Sequence, residues 1–406
     1  MIFSTQAFAD DGGSGYSRYG LGDIRYFATS RAMGMGGAGI AVMSTNSIDR
    51  INPANWAHIT TVRYSVGFLY EGFSTTDGAQ SAFLSSASFN SLMIAIPIET
   101  HSGIVFGGGI TPFSKVNYNV LAPASQGGFD YTLQYLGKGG LSQAHFGLSA
   151  SLGSDLNFGA KLNYYFGTLH NTVSQTFSST QFTNGEVQRD NRLKGVGFTF
   201  GTVYTGLKKI FNLSETNALN IGFTATTTSN ISSNDERFYK YSTPSLTTRD
   251  TTTLSESNIR LPYSLGAGIS YLSDRWLIAG DMFYQNWNRF DGQVEKPAEL
   301  RDSYRFGMGG ELLPKRDATA PFFDRLAYRL GFFYNATYYQ IKGEPINEVG
   351  VTGGVGIPVF HDTRLNIAAE YSFRGTTDLQ LQKDRILRIS FTLSGGELWF
   401  VRTEEE

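Results

Sequence analysis

The chain predicts an all-β fold, a transmembrane antiparallel barrel of about 14 strands, and three observations carry that expectation. From Val62 onward, apolar and polar residues alternate with period two in segment after segment. Many of these segments exceed the roughly 5–6 residues usual in soluble sheets. The connections switch regularly between short and long, as in a barrel with tight turns on one side of a membrane and long loops on the other.

Composition agrees. Only 17% of the 406 residues are charged and the net charge is −2, against about 25% charged residues in an ordinary soluble domain. Aromatics reach 14%, which suits the outer belt and interfacial girdles of a membrane barrel. No run approaches the roughly 20 apolar residues of a membrane helix. The chain has no cysteine, so thiol chemistry and disulfides are excluded and a zinc site is disfavoured. Near-neutral charge offers no electrostatic basis for binding nucleic acid. No cofactor is implied.

The strands can be placed in order. In the first, Val62, Tyr64, Val66, Phe68 and Tyr70 share one face, with Arg63, Ser65, Gly67, Leu69 and Glu71 on the other. Period two places strands near 62–73, 81–99, 103–112, 129–153, 155–172, 192–208, 216–229, 257–273, 275–288, 300–313, 322–337, 345–359, 363–375 and 383–401. Short turns fall at Thr100–Ser102, Ser154, Ser273–Asp274 and His361–Asp362, with somewhat longer ones near 209–215 and 314–321. The largest loops are expected at 113–128, 173–191 and 230–256. Short turns then face the periplasm, together with both termini. Residues 1–9 read as the remnant of a secretory signal, ending in Ala7-Phe8-Ala9.

Residues 10–60 form a separate unit ahead of the barrel at 61–406. Residues 13–57 have no period two and are rich in small residues, with Gly34, Gly36, Gly37 and Gly39 in a short apolar patch. Asn52-Pro53-Ala54 is a helix start, since Asn caps and Pro suits the first helical position. Gly34 to Gly39 also fits GxGxxG, but no βαβ context surrounds it, so nucleotide binding is rejected.

This stretch resembles the N-terminal hatch of the FadL-like long-chain fatty acid transporter family of outer-membrane barrels. The likeness rests on the run SRAMGMGGAGIAV, then Asn52-Pro53-Ala54, then the first strand. It implies 14 strands after a hatch that plugs the lumen. It also implies a kink in the third strand that opens the wall, placed here at Gly109, Pro112 and Phe113; otherwise Pro112 simply ends that strand. The implied function is passive uptake of small hydrophobic molecules, fatty-acid-like or hydrocarbon, by a monomer in the outer membrane of a Gram-negative bacterium. Expected partners are the hydrophobic molecule, membrane lipid and the assembly machinery that reads a terminal aromatic, here Trp399 or Phe400. Barrels of the same superfamily serve as shuttles in type IX secretion, so a scaffold that binds proteins on its outer loops is an alternative. A barrel lipase is another, and it would centre on His145.

Candidate ligand residues follow from what such a transporter needs. Phe177, Phe182, Phe238 and Tyr239 lie in the expected outer loops. Parity points Lys161, Arg305, Arg325, Arg329 and Arg374 into the lumen, where a cation suits a carboxylate. The competing role is pairing with Glu71, Glu311 and Glu370 to fill the lumen. The fourth outer loop is more polar than a fatty-acid groove requires. The five histidines show no metal spacing and read as surface residues.

Overall fold

Each wall strand pairs antiparallel with the next, and the last returns to the first. The computed structural model describes residues 10–397 apart from 12, 180, 215, 243–246, 254–255, 291–298, 316, 318 and 361. The signal-like residues 1–9, His361, Trp399 and Phe400 lie outside the described residues. Strands β1 (Val62–Thr76), β2 (Ser81–Glu99), β3 (Ile104–Pro112 and Ser114–Gln126), β4 (Phe129–Leu152) and β5 (Leu156–Phe177) come first. They are followed by β6 (Asn184–Tyr204), β7 (Ala218–Thr226 and Ser229–Ser242) and β8 (Thr247–Thr253, Ser257–Leu261 and Ser264–Leu272). Then come β9 (Trp276–Gln285), β10 (Ser303–Leu312), β11 (Ala327–Ile341), β12 (Glu344–Phe360), β13 (Thr363–Gly375) and β14 (Lys383–Glu397). Pairing of β14 with β1, from Lys383↔Thr76 to Glu397↔Val62, closes a barrel of 14 strands.

The period-two pattern has a physical meaning here. Phe68, Leu92, Phe146, Phe200 and Leu330 point outward and are exposed, forming an apolar belt for lipid. Arg63, Ser65 and Glu71 point inward and are buried. The barrel therefore inverts a soluble sandwich, with polar residues inside and apolar residues outside.

The three expected long loops are a correction. Ser114–Gln126 is strand and pairs with β4 from Val116↔Gly139 to Gln126↔Phe129. Residues of the second expected loop extend β5 and β6, which pair up to Gln175↔Gly185. Those of the third form the outer arms of β7 and β8, paired from Glu236↔Thr253 to Ser242↔Thr247. The β8 arm is polar on both faces, so no apolar face marks it in the sequence; in Ser114–Gln126 the alternation of Val116, Tyr118 and Val120 with Lys115, Asn117 and Asn119 is present but short.

The lumen is occupied by the N-terminal segment. It contains short helical turns at Gly15–Arg18, Ser30–Gly34 and Pro53–His58. The small-residue stretch is thus mostly turn rather than helix. Asn52 caps the last turn by accepting from the Ala54 amide at 3.0 Å. The inward glycines of the wall seat this segment backbone to backbone. A Cβ on Gly331 would lie 2.3 Å from the Gly36 nitrogen, and one on Gly159 would lie 2.4 Å from the Pro53 carbonyl carbon. Replacing Gly331 by valine is expected to destabilise the barrel by about 1–3 kcal/mol through overpacking. Heat-modifiable gel migration measures this, and unchanged melting would show that the segment yields freely.

Candidate functional site

Among the described residues, the wall ladder between β2 and β3 is incomplete. β2 pairs with β3 only from Glu99↔Ile104 up to Leu92↔Ile110. At Phe113 the strand breaks, and beyond it Ser114–Gln126 leaves β2 and stays with β4. Proline removes a ladder donor at the break. On β4, Gly139 and Gly140 supply the pivot at φ +114 and +143, where a Cβ on Gly140 would meet the Ser114 carbonyl oxygen at 2.2 Å.

The N-terminal segment fills the gap. Asp23 and Ile24 pair with Lys115 and Ser114 on the free edge of β3. The Arg25 amide donates to the Phe113 carbonyl at 2.9 Å. On the far side of the gap, Asp10 and Asp11 run parallel to Leu84 and Ser85 of β2. The sheet edges that the break exposes are thus capped by a segment that is not part of the wall.

Side chains bridge what the backbone does not. Arg25 donates to Glu71 on β1, at 2.7 Å for one of its two contacts. Lys115, on β3, reaches Glu71 at 3.1 Å and the Ser86 hydroxyl of β2 at 2.7 Å. Arg388 on β14 adds a third cation to Glu71 at 3.1 Å, and also binds Glu370 and, at 2.8 Å, Glu348. One buried carboxylate therefore joins the segment, both sides of the gap and the closing strand.

Cavities lie on both sides of this barrier. A cavity of about 350 Å³ is lined by inward Leu69 and outward Phe89, with Pro112 and Lys115, so it runs through the wall. A smaller one of about 90 Å³ lies in the lumen against Tyr26, Arg50, Phe113, Lys161 and Tyr165. Arg25 lines both. Phe113 turns inward and meets the Tyr165 ring edge-on at 5.2 Å. Burial lowers the pKa of Arg50, and the nearby Asp49 charge opposes that shift. Towards the outer end the lumen is apolar, with Ile231, Ile259, Leu261, Trp287 and Tyr338 in one buried cluster.

The remaining candidates are dispersed. Gly34, Gly36, Gly37 and Gly39 lie against the wall, where Asp281 on β9 accepts from the Gly39 and Ile40 amides at 2.6 and 2.8 Å. Asn52 and Asn55 donate back to the carbonyls of Ile40 and Gly39, each at 2.8 Å, tying the glycine patch to the Pro53-Ala54 turn. Gly109, on β3 just below the break, pairs with Met93 and His145. Phe177 and Phe182 meet at 5.0 Å, and Phe129 joins Phe182 at 4.6 Å, at the tips of the outer hairpins. Phe238 lies apart from them under Arg249 at 4.4 Å, and Tyr239 pairs across to Val187.

The lumen cations are mostly spoken for. Arg329 pairs with Glu311 at 2.8 Å, beside Arg31 of the segment at 2.6 Å. Arg374 holds Asp23 at 2.7 Å and Asp384 at 3.1 Å. Arg305 donates to the Gly36 carbonyl at 2.9 Å and faces the Phe333 ring at 4.4 Å. Lys161 donates to the Arg50 carbonyl.

Two expectations need correction. Arg325 does not project from a wall strand; it sits in the helical turn Phe322–Arg325, because the chain bends there before β11 begins. His145 is no surface residue. It is 2% exposed and stacks on Trp56 at 6.5 Å, with neither ring nitrogen hydrogen-bonded, so the rim triad of a lipase has no centre there. Arg25, Lys115 and Asp281 were missed. Arg25 lies in a segment without period, and Lys115 fell in an expected loop.

Solved structures share this fold. The CymD monoaromatic hydrocarbon channel superposes with a TM-score of 0.60 at 14% identity, covering 94% of this chain and 99% of that one. The Ralstonia pickettii toluene transporter TbuX gives 0.60 at 14% identity, covering 91% and 98%. A Pseudomonas aeruginosa FadL homologue gives 0.57 at 13%, covering 92% and 98%. At such identities the likeness is one of fold, and the FadL-like character read from residues 13–57 holds at that level. No curated protein matches the chain. The family model described as BamG matches residues 1–404, and the chain belongs to the BamG family.

Proposed function

We propose that this protein moves small hydrophobic molecules passively across the outer membrane of a Gram-negative bacterium and releases them sideways through the gap at Pro112. The observation that carries this reading is the wall break at Phe113, filled by Asp23–Arg25 rather than by a wall strand. The aromatic hairpin tips collect the molecule, and the apolar outer lumen accepts it. Residues 10–60 act as the plug that blocks a straight aqueous path. Arg25 stands between the lumen cavity and the cavity in the wall, so movement of this short stretch joins the two. Diffusion drives the process and no cofactor enters it. Solved barrels of the same fold, described as a monoaromatic hydrocarbon channel and a toluene transporter, support the choice of substrate class.

A cysteine lock tests the route. Ile24 and Ser114 are register partners, so Ile24→Cys with Ser114→Cys is placed to form a disulfide that fastens the filling segment to the β3 edge of the gap. Oxidised protein in liposomes is expected to lose uptake of a labelled aromatic hydrocarbon, and reduction is expected to restore it. Equal uptake in both states would eliminate the lateral route.

A further inference from the structure

We propose that the outward face of β6–β8 is a binding site for an acylated lipid bearing a phosphate group. This face is separate from the gap and does not depend on what the lumen carries. Its lower part is a groove of about 600 Å³ in the outer wall, lined by Phe158, Phe200, Phe223, Leu265, Met282 and Tyr284. The rings stand out into the lipid zone, with Phe200 53% and Phe223 52% exposed. Between them the outward positions are small, at Thr202, Ala225 and Ala267. A flat belt needs no such hollow, and a hydrocarbon chain fits one lined this way.

Further out on the same face, six residues beyond Phe200 along β6 and so about 20 Å along the strand, the outward face changes from apolar to cationic. On β6 the outward residues run Phe200, Phe198, Val196 and then Lys194, all exposed. On β8, Arg260 is likewise exposed, just above the Pro262–Tyr263 break. Lys194 lies opposite Ser232 of β7, and Arg260 opposite Asn230. Strand spacing and rise then put their Cα atoms about 12 Å apart, so both long side chains reach one phosphate held between them. Asn230, between the two cations, offers a neutral amide donor.

The level is right for a headgroup. Phe166 stands opposite Lys194 and stacks on Tyr164 at 5.8 Å. Tyr263, Tyr284 and Tyr304 follow round the wall with ring separations of 6.1 and 5.1 Å. Such aromatic girdles mark the interface between hydrocarbon and water. Lys194 and Arg260 therefore sit where phosphate groups of the outer leaflet lie.

Charge pairing selects these two cations from their neighbours. One tier further out, Arg192 pairs with Glu236 at 3.4 Å, and Asp190 shares a hydrogen bond of 2.9 Å with the His170 ring. To the side, Asp302 is held by the Tyr284 hydroxyl at 2.8 Å, and Glu256 lies farther from the groove, before Ser257. Among the described residues, Lys194 and Arg260 have no ion-pair partner. A phosphate carrying acyl chains satisfies the cations and fills the groove together.

The test uses full-length protein in neutral detergent, titrated with diphosphoryl lipid A and read by native mass spectrometry. The expected result is retained lipid A adducts, with phosphatidylcholine binding far more weakly. Lys194→Ala with Arg260→Ala is expected to weaken lipid A binding about ten-fold or more, through loss of two charge-assisted contacts. Arg192→Ala, which removes an already paired charge, is expected to change it less than about two-fold. Ala267→Trp fills the groove and is expected to weaken lipid A while leaving inorganic phosphate without effect on the adduct. Unchanged heat-modifiable migration confirms that each variant is folded. Equal affinity for phosphatidylcholine, an unaffected double variant, or an equal loss from Arg192→Ala would each overturn the site.

Discussion

Deleting Gly13–Ser44 is expected to turn a nearly silent barrel into one that conducts in steady steps. A barrel of 14 strands is wider than the 8-stranded type that its own side chains fill. Its inward glycines leave room that the N-terminal segment occupies. Gly307 and Gly309 meet Gly36 and Met35 so closely that an added Cβ would lie 2.4 and 2.6 Å from their backbones. The deletion removes these contacts and the Asp23, Arg25 and Arg31 ends of the lumen ion pairs, while the strand ladder from Val62 onward is untouched. Single-channel recording in a planar bilayer reads the outcome. Porin-like conductance from the intact protein would dismiss the plug, and with it the selective route.

Glu71→Gln is expected to have the largest effect of any single substitution. Glu71 is 1% exposed and faces Arg25, Lys115 and Arg388 at once. A neutral amide of the same shape leaves three cations around one site without their shared anion. Breaking one side of a buried ion pair costs about 3–5 kcal/mol. Arg388 keeps Glu348 and Glu370, so the loss falls mainly on Arg25 and Lys115, the two groups that join the segment to the gap. The variant should therefore melt earlier and also expose the Asp23–Arg25 stretch to protease. Labelled hydrocarbon should leak through it faster than through the parent. A variant that melts earlier but keeps the parent's protease pattern and leak rate would make Glu71 a structural residue without a part in the gap. Glu71→Asp keeps the charge and is expected to lie between the two.

Much of the wall was legible because lipid and lumen impose opposite chemistry on alternate residues. β2 and β13 run over Ser81–Glu99 and Thr363–Gly375, the same bounds that period two assigns. Outside the membrane that contrast ends. The β8 arm carries polar residues on both faces, so Thr247–Thr253 reads as a loop although it is paired, while Val116 and Tyr118 on β3 and Ile231 on β7 turn into the buried lumen cluster. The break at Phe113 announced itself through Pro112 and three preceding glycines, but what fills it did not. Asp23–Arg25 carries no strand pattern, because two residues of pairing leave no periodic trace.

The sequence by itself determined an all-β membrane barrel, its strand order and a small-residue segment ahead of it. Those properties are local, since each residue responds to whether lipid, water or a turn surrounds it. The tertiary structure decided which charges meet. Asp23, Arg374 and Asp384 are joined across more than 350 residues of chain, Arg374 reaching Asp23 at 2.7 Å. It also decided that Lys115 spans the gap and that Lys194 and Arg260 come near each other on the outward wall, on either side of β7. The physical reason is closure. Bringing β14 back to β1 and threading the N-terminal segment through the lumen creates neighbours that no window of sequence contains, and in a low-dielectric interior those neighbours set the energies.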